Sequence, residues 1–368
     1  MDVENVDLMD ELENFINAST NTSSPTVIQY ASFIVYVLTC IIGLIGNAGV
    51  ILISAVIMQQ QKCKIWFLNL AVADFLFLLI LPLYAASVLK QDWLYGSLIC
   101  KLYHFMSTCN MYSSIFIITA LNIDRVLSVA KPIWHLKVFS RRVSHLTCAV
   151  IWVTAFLFSL PVIFLTNEHK SGDKTECGLA NIKQINTRHR LVKRDIHFNR
   201  VGTILDLPPN PELCLSPENT SDCDKTFLQM KPLIEGLIVP FILIGYFIPL
   251  CTIILSNIII AWQVNKSHTL KSSKLYRIVM AVILIFFLTW TPLVIAEITY
   301  ITAFNTRNFP LMHNIYTLIP LLTSIAYTNC CLNPIIYVLV GRQVRTAMMD
   351  FIYKRRNKNT SNIQVMQA

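Results

Sequence analysis

Long runs of apolar residues recur along the chain, and almost no charged residue interrupts them. A helix needs about 20 mostly apolar residues to cross a lipid bilayer. Seven runs reach that length, and they predict an all-α membrane protein built as a bundle of seven transmembrane helices. The runs are Ile28–Met58, Ile65–Leu89, Leu102–Ile123, Val143–Thr166, Gly236–Val264, Ile278–Ala296 and Phe309–Val340.

The charges between the runs predict how the bundle is oriented. The segments on one side, which include the tail, carry 17 Lys and Arg residues against two acids, Asp124 and Asp350. The N-terminal segment carries six acids and no Lys or Arg. Because basic loops stay in the cytoplasm, we expect a plasma-membrane protein with its N-terminus outside and its C-terminus inside the cell. No basic stretch precedes the first run, so we expect that run to act as a signal anchor without cleavage.

The runs also divide the chain into three parts. Residues 1–27 form an acidic extracellular segment, residues 28–341 the membrane domain, and residues 342–368 a cytoplasmic tail. The tail begins with apolar and basic residues on opposite faces, which predicts a short amphipathic eighth helix. A long second outer loop covers about residues 167–235. Three glycosylation acceptors fall on the predicted outer side: Asn17, Asn21 and Asn219.

Four cysteines lie in the predicted outer segments: Cys100, Cys177, Cys214 and Cys223. Disulfides form in this oxidising compartment. A bond between Cys100 and Cys177 would hold the long loop across the mouth of the bundle, and one between Cys214 and Cys223 would close a short loop around Asn219. We predict these two bonds, while the count of four cysteines leaves two other pairings open.

Composition narrows the classes of protein that fit the chain. Of 368 residues, 54% are hydrophobic and 14% are charged, whereas soluble domains carry about 25% charged residues. A disordered chain is excluded, and a nucleic-acid-binding protein would not be this apolar despite the net charge of +9. No catalytic triad, phosphate loop or metal cluster is apparent, so no enzymatic activity is predicted. The runs show no internal repeat, which argues against a transporter.

Asp74 is the one Asp, Glu, Lys or Arg inside the seven runs. An acid at mid-membrane depth costs at least about 2.5–3.5 kcal/mol, so it requires partners and marks a functional position. Asn110 and Ser114 lie four residues apart and share a helix face. A polar network that only joins helices is the alternative interpretation. Oxygen ligands are available from Asn47, Asn110, Ser114, Asn329 and Asn333.

Each run also carries a short motif, either within it or, for Asp124-Arg125, immediately after it. The motifs are Gly46-Asn47, Asn69-Leu-Ala-Val-Ala-Asp74, Asp124-Arg125, Trp152, Pro249, Thr289-Trp290-Thr-Pro292 and Asn333-Pro-Ile-Ile-Tyr337. Each is weak alone, but seven landmarks in seven ordered runs are specific. The set resembles the rhodopsin-like (class A) G-protein-coupled receptors over roughly Ile28 to Tyr353.

The resemblance implies one inorganic ligand and no organic cofactor. It implies a pocket under Trp290 that holds an allosteric Na⁺ ion and water. The resemblance therefore favours an ion site over a polar network that only joins helices. The implied pocket residues are Asp74, Asn110, Ser114, Asn329, Asn333 and Asn47.

The resemblance also implies a latch at the cytoplasmic end of the third run. Asp124 would hold Arg125 until activation frees Arg125 to meet a G protein. A snorkelling pair that only fixes the depth of the helix is the alternative. Ile133, in the next loop, would contact the G protein as well. Further implied switch residues are Trp290, Pro292, Asn333, Pro334 and Tyr337.

Longer tracts point to one group within the family. Asn69–Pro82, Trp93–Gly96 and Ile123–Trp134 resemble the chemoattractant receptors, which include the formyl-peptide, chemerin and anaphylatoxin receptors. This implies an extracellular peptide or small-protein ligand, an inhibitory-type heterotrimeric G protein, and arrestin and membrane lipid as further partners. A non-signalling decoy receptor is one alternative, because Val126 and Asn257 replace tyrosines that the family uses as switches. A receptor for a lipid mediator is another.

The predicted ligand pocket departs from the formyl-peptide receptors. Thr108, Leu237 and Phe241 stand where those receptors place an Asp and two Arg residues, so a formyl-peptide ligand is not expected. The pocket acids and the six N-terminal acids favour a cationic peptide or protein. Candidate pocket residues are Glu235, Glu297, Lys101, His104 and Trp93.

Overall fold

The computed structural model describes residues 25–56, 64–171, 174–179, 231, 234–267 and 274–340. Several predicted features lie outside these ranges. They are the glycosylation acceptors Asn17, Asn21 and Asn219, the cysteines Cys214 and Cys223, the amphipathic helix beyond residue 341, and the side chain of Tyr337.

Within the described ranges, the helices form seven rods, which are named spans 1 to 7. Span 1 is α1 (Val27–Val56), span 2 combines α2 (Lys64–Leu78) and α3 (Leu81–Lys90), and span 3 is α4 (Gly96–Ala130). The short helix α5 (Pro132–Val138) leads to span 4, α6 (Arg141–Leu165). Span 5 comprises helical residues 234–242, a π-helical turn (Leu243–Phe247) and α7 (Ile248–Ser267). Span 6 is α8 (Lys274–Asn305), and span 7 combines α9 (Phe309–Tyr327) and α10 (Asn329–Val340).

Six of the spans are long and apolar enough to cross a membrane. Their outer faces expose large apolar side chains such as Ile45, Phe164 and Leu288, as expected for contact with lipid. Span 3 is the longest at 35 residues but carries polar residues along its middle, including Asn110 and Ser113. Those side chains are buried by the neighbouring spans, so span 3 is shielded from lipid and tolerates a more polar sequence.

Two spans are interrupted near proline or polar residues. Span 2 breaks at residues 79–80, because Pro82 lacks an N–H and its ring crowds the carbonyl of Leu78 in the preceding turn. Span 7 breaks at Thr328, where the Thr328 N–H bonds to the Ile325 carbonyl at 3.1 Å. The second break lies immediately before Asn329 and orients the polar face of α10.

The π-helical turn in span 5 was not predicted from the sequence. Pro249 has no N–H to offer the carbonyl of Gly245, so the regular bonding pattern cannot continue through this turn. Gly245 packs against span 3, and a Cβ there would lie 2.5 Å from Met111 Cε. The turn therefore brings the backbone of span 5 close to span 3.

A disulfide and a short hairpin cover the end of the bundle that the sequence predicts to face outward, and this end is named the outer end. Strands β1 (Thr166–Ser171) and β2 (Lys174–Leu179) pair antiparallel, a hairpin that the sequence analysis did not predict. Cys177 in β2 is bonded to Cys100 at the start of span 3. The Trp93 N–H also donates to the Thr175 carbonyl at 2.7 Å. The hairpin is thus tied to span 3 and to the connection between spans 2 and 3.

Spans 1 and 7 approach closely at Gly46. A Cβ on Gly46 would lie 2.8 Å from Cβ and 3.0 Å from Cγ of Pro334. Asn47 lies beside this contact and donates from Nδ2 to the Cys330 carbonyl at 2.8 Å. The Gly46-Asn47 motif is therefore a packing device that joins the two spans.

Gly46→Ala is expected to lower the free energy of unfolding by about 1–3 kcal/mol, because the rigid Pro334 ring cannot rotate away from the added methyl group. Gly49→Ala is the matched control, since no atom lies within 4 Å of a Cβ at that position. There we expect no loss, or a gain of up to about 1 kcal/mol from helix propensity. Thermal unfolding of the purified protein in detergent measures both. Equal melting temperatures for the two variants would contradict the prediction.

Candidate functional site

Asp74 lies in the centre of the bundle and is fully buried. Its Oδ1 accepts from Asn110 Nδ2 at 3.0 Å and from the Ser114 hydroxyl at 3.4 Å, while its Oδ2 accepts from Asn333 Nδ2 at 3.0 Å. Spans 2, 3 and 7 are joined through this one carboxylate. The helix-face argument for Asn110 and Ser114 agrees with these bonds.

Three buried side-chain oxygens of the predicted pocket residues have no hydrogen-bond partner within the described residues. They belong to the side-chain carbonyls of Asn329, Asn333 and Asn47, all of which are buried. Asn47 points its amide group at the backbone of Gly43 and Cys330, so it stands at the edge of the cluster and does not bond to Asp74. Carboxylate, hydroxyl and amide oxygens are ligands for a hard cation.

Trp290 in span 6 belongs to an aromatic cluster that reaches spans 5 and 7. Its ring stacks with Phe286 at 5.7 Å between centroids and lies 6.5 Å from Tyr327 in span 7. The next residue, Thr291, hydrogen-bonds to the hydroxyl of Tyr246 in the π-helical turn at 2.7 Å. Pro292 lies inside α8, two residues after Trp290, and a proline within a helix creates a point at which the backbone can bend. The aromatic ring and the bending point of span 6 are therefore close together.

Trp290 also lines a cavity of about 330 Å³. Spans 3 to 7 line most of it, and most of the lining is apolar or aromatic. Tyr327 hydrogen-bonds to the Ser107 hydroxyl at 2.5 Å and to the Tyr103 hydroxyl at 3.2 Å. Tyr103 stacks on Tyr84 with ring centroids 4.3 Å apart. An aromatic wall with a few polar groups is typical of a ligand-binding cavity.

The structure brings two of the five predicted pocket residues to this cavity. Glu297 and His104 line it, and both are buried. Glu235 lies outside the lining, partly exposed, with its Oε1 3.8 Å from Lys231 Nζ. Lys101 is also outside the lining. Trp93 is buried beneath the outer hairpin, where its indole N–H donates to the Gly96 carbonyl at 3.0 Å, so its role there is structural.

The C-terminal end of span 3 carries a three-residue clasp. Asp124 pairs with the neighbouring Arg125, whose Nε donates to Asp124 Oδ2 at 3.0 Å. His135 in α5 donates from Nε2 to Asp124 Oδ1 at 2.8 Å and stacks on Phe139. Asp124 thus holds both the helix end and the loop that follows.

Ile133 lies in the same short helix as His135 but on the opposite side. Its side chain is 73% exposed, and the neighbouring Trp134 and Leu136 are exposed as well. These three exposed apolar side chains provide a contact surface for a partner or for lipid at this end of the bundle. Of the other predicted switch residues, Pro334 packs on Gly46 and Asn333 bonds to Asp74.

Sequence reasoning missed His135 and the tyrosines of the outer cavity. His135 follows Asp124 by 11 positions, and Pro132 breaks the helix between them, so no periodicity relates the two. Tyr327 is 220 positions from its partner Ser107. The polar face of span 3, which includes Ser107, was the available signal for the tyrosine cluster, because a buried hydroxyl requires a partner.

Known proteins were compared with the chain. The sequence model of the 7 transmembrane receptor (rhodopsin family) matches residues 46–208 and 201–337. Chemerin-like receptor 1 of Sus scrofa is 30% identical over 326 residues, which cover 87% of this chain and 79% of that protein. The C3a anaphylatoxin chemotactic receptor of Danio rerio is 29% identical over 340 residues, covering 92% and 80%. The C5a anaphylatoxin chemotactic receptor 1 of Rattus norvegicus is 28% identical over 313 residues, covering 85% and 76%.

Proposed function

Because the chain belongs to the rhodopsin family of seven-transmembrane receptors, and within it to the chemoattractant group, we propose that it binds an extracellular peptide or small protein and activates an inhibitory-type heterotrimeric G protein. It is a multi-pass membrane protein of a receptor family and not of an enzyme family. The proposed orientation places the N-terminus outside the cell and the C-terminus in the cytoplasm.

The observation that carries this proposal is the cavity with Trp290 at its floor. A ligand that enters from the outer face meets Trp290 above the Asp74 cluster. Span 3 runs from the cavity past Asp74 to Asp124 and Arg125, so one helix contacts all three places. A ligand that contacts Trp290 differently in two arrangements of the bundle would shift the equilibrium between them.

The proposed output site is the cytoplasmic clasp. In the described structure Arg125 is engaged by Asp124, and Asp124 is held further by His135. Release of Arg125 would free a guanidinium group at the inner surface, beside the exposed Ile133. We assign G-protein contact to Arg125 and Ile133, and arrestin binding to the same surface.

A decoy receptor without G-protein coupling is the second candidate, because of one observation in span 5. Asn257 donates from Nδ2 to the Ile253 carbonyl of its own helix at 2.8 Å. The asparagine side chain is shorter than the tyrosine that the family uses there, and it bonds to its own helix. It would therefore stabilise an active arrangement of the bundle less than that tyrosine does.

The two candidates are separated by G-protein activation in cells that express the chain. The cells are exposed to complement fragments, chemerin-like proteins and short peptides, with Arg125→Ala as the control variant. A response that Arg125→Ala abolishes, while surface expression is kept, would support the signalling receptor. Uptake of a labelled protein from the panel without any G-protein response would favour the decoy. No binding and no response to the panel would count against a ligand of the proposed class.

We also propose that the Asp74 cluster holds Na⁺. The residues present fit the ion, because buried carbonyl oxygens of Asn329 and Asn333 lack partners within the described residues, and because Asn333 and the Ser114 hydroxyl both bond to the Asp74 carboxylate. Asp74, Ser114 and these carbonyls would hold it, while Asn110 orients the carboxylate. A bound cation would neutralise Asp74 and favour the arrangement in which spans 2, 3 and 7 meet at this carboxylate.

Asp74→Asn is expected to remove the dependence of thermal stability on Na⁺. For the wild type, Na⁺ at ten times its Kd adds about 1.4 kcal/mol relative to choline at equal ionic strength. The variant retains the shape of the side chain and avoids a buried charge, whose cost is about 2.5–3.5 kcal/mol, so it should not unfold earlier in choline. Melting curves of purified receptor in the two salts test this. Asp92→Asn is the matched control because Asp92 lies outside the cluster and bonds to Thr175. A sodium effect that survives Asp74→Asn would overturn the assignment.

A further inference from the structure

We propose that Glu297 determines ligand specificity in the outer cavity by pairing with a guanidinium or ammonium group that the ligand carries between apolar side chains. This inference rests on the proposed receptor function and adds the chemistry of the inserted group. It distinguishes Glu297 from the other acid at the outer end of the bundle, Glu235.

The carboxylate of Glu297 is buried and incompletely paired. The side chain is 4% exposed, and its Oε2 has no hydrogen-bond partner within the described residues. No ion pair with Glu297 is found in that part of the chain either. Glu235, in contrast, is partly exposed and already lies near Lys231. A carboxylate removed from water is stable only when a cation or several donors replace the water.

In the part of the chain that the structure describes, the lining of the cavity includes no Lys or Arg that could pair with a ligand carboxylate. Among its lining residues in the described ranges, Glu297 is the one Asp, Glu, Lys or Arg. Leu237 and Phe241 stand where formyl-peptide receptors place two Arg residues. Both line this cavity with apolar surface. An anionic group of the ligand would therefore be desolvated beside a like charge, whereas a cationic group would be paired.

His104 adds a second acceptor in the same cavity. Its ring bonds to the backbone of Cys177, while the buried Nε2 has no partner within the described residues. When the other ring nitrogen donates its proton to the backbone, Nε2 accepts. Glu297 and His104 together suit a group with several N–H donors, which describes a guanidinium or an ammonium group. The Trp290 N–H is the remaining unpaired lining group and suits a carbonyl oxygen of the ligand.

The walls of the cavity also suit a cation flanked by apolar groups. Tyr112 and Tyr327 line the cavity and lie close enough to Glu297 to interact with it electrostatically. Aromatic faces attract a desolvated cation, and they pack against apolar side chains on either side of it. The geometry therefore selects an arginine, a lysine or a free amine next to apolar residues.

Two small probes of equal shape test the charge requirement on the full-length receptor. N-benzoyl-L-arginine amide carries a guanidinium, and N-benzoyl-L-citrulline amide carries an uncharged urea in its place. Binding is read from the rise in melting temperature with probe concentration. We expect the arginine probe to bind the wild type roughly 10- to 100-fold more tightly than the citrulline probe, as charge-assisted hydrogen bonds predict. Glu297→Gln should remove that difference, while the matched variant Glu168→Gln, on the outer hairpin, should retain it.

Three outcomes would overturn the proposal. The first is equal binding of the two probes, or binding of neither, to the wild type. The second is an unchanged preference for the arginine probe in Glu297→Gln. The third is a lower melting temperature of ligand-free Glu297→Gln, which would show that the chain itself supplies a cation to this carboxylate. Each of these would leave the signalling test with Arg125→Ala unaffected, so failure of the inference is distinguishable from failure of the receptor function.

Discussion

Replacement of Cys100 by serine is expected to remove most of the receptor from the cell surface. The bond to Cys177 closes a loop across 77 residues, and it anchors the outer hairpin over the cavity. The chain-entropy relation gives about 4.5 kcal/mol for a loop of that length. Membrane insertion already restrains the unfolded chain, so this figure is an upper bound. A loss even half as large is a substantial part of the roughly 5–15 kcal/mol that stabilises a folded protein.

Flow cytometry of an N-terminal tag, together with the melting temperature in detergent, measures this effect. Cys177→Ser should be as severe as Cys100→Ser, and the double variant no worse than either, because all three lose the same bond. Cys251→Ser is the matched control, since Cys251 is a free, exposed cysteine on span 5. Surface levels of Cys100→Ser within twofold of the wild type would contradict the prediction.

Asp124→Ala is expected to raise ligand-independent G-protein activation by roughly 5- to 150-fold, the range typical of a switch between two arrangements. The substitution removes the carboxylate that engages Arg125 and His135 together. Each charge-assisted hydrogen bond contributes about 1.5–3 kcal/mol when buried, and the partial exposure of Arg125 reduces its share. Because 1.4 kcal/mol is a factor of ten, loss of the His135 bond alone should produce an increase of about tenfold.

His135→Ala therefore isolates the part of the clasp that the sequence did not reveal. Basal G-protein activation, normalised to surface receptor, is compared for Asp124→Ala, His135→Ala and the double variant. The double variant should resemble Asp124→Ala, since both changes break the same contact. His145→Ala is the matched control because His145 is exposed at the start of span 4. Basal activity of His135→Ala equal to that of His145→Ala would show that His135 does not restrain the receptor.

The number and order of the helices could be predicted from the sequence, because membrane insertion imposes strong and local rules. Each apolar run must become a helix, since no water is available in the bilayer to satisfy an open backbone. Asp74 was conspicuous because the seven runs contain no other charged residue. A carboxylate at that depth requires buried partners, because it is costly to remove from water. Helix periodicity placed two of those partners, Asn110 and Ser114, on one face of span 3, and the family resemblance assigned them to Asp74. Family motifs placed Asn333 with them.

Features that depend on backbone irregularities were not accessible in this way. The breaks at residues 79–80 and at Thr328, and the π-helical turn at Leu243–Phe247, each rotate the residues that follow about the axis of their span. A proline indicates that a helix can bend, but the direction and the compensating bonds depend on the neighbouring spans. The prolines of spans 2 and 5 were visible in the sequence, whereas the resulting geometry was not.

Glu297 and Glu235 illustrate a distinction that the sequence could not make. Both are acids near the outer end of the bundle, and the sequence favoured them equally as pocket residues. By itself, the sequence determined the seven helices, the buried acid Asp74 and the family, because hydropathy, charge and short motifs are local properties. Only the tertiary structure decided that Glu297 faces the cavity, that Glu235 and Trp93 do not, and that His135 reaches Asp124. These placements depend on how each helix is rotated against its neighbours, and that rotation is a property of the packed bundle.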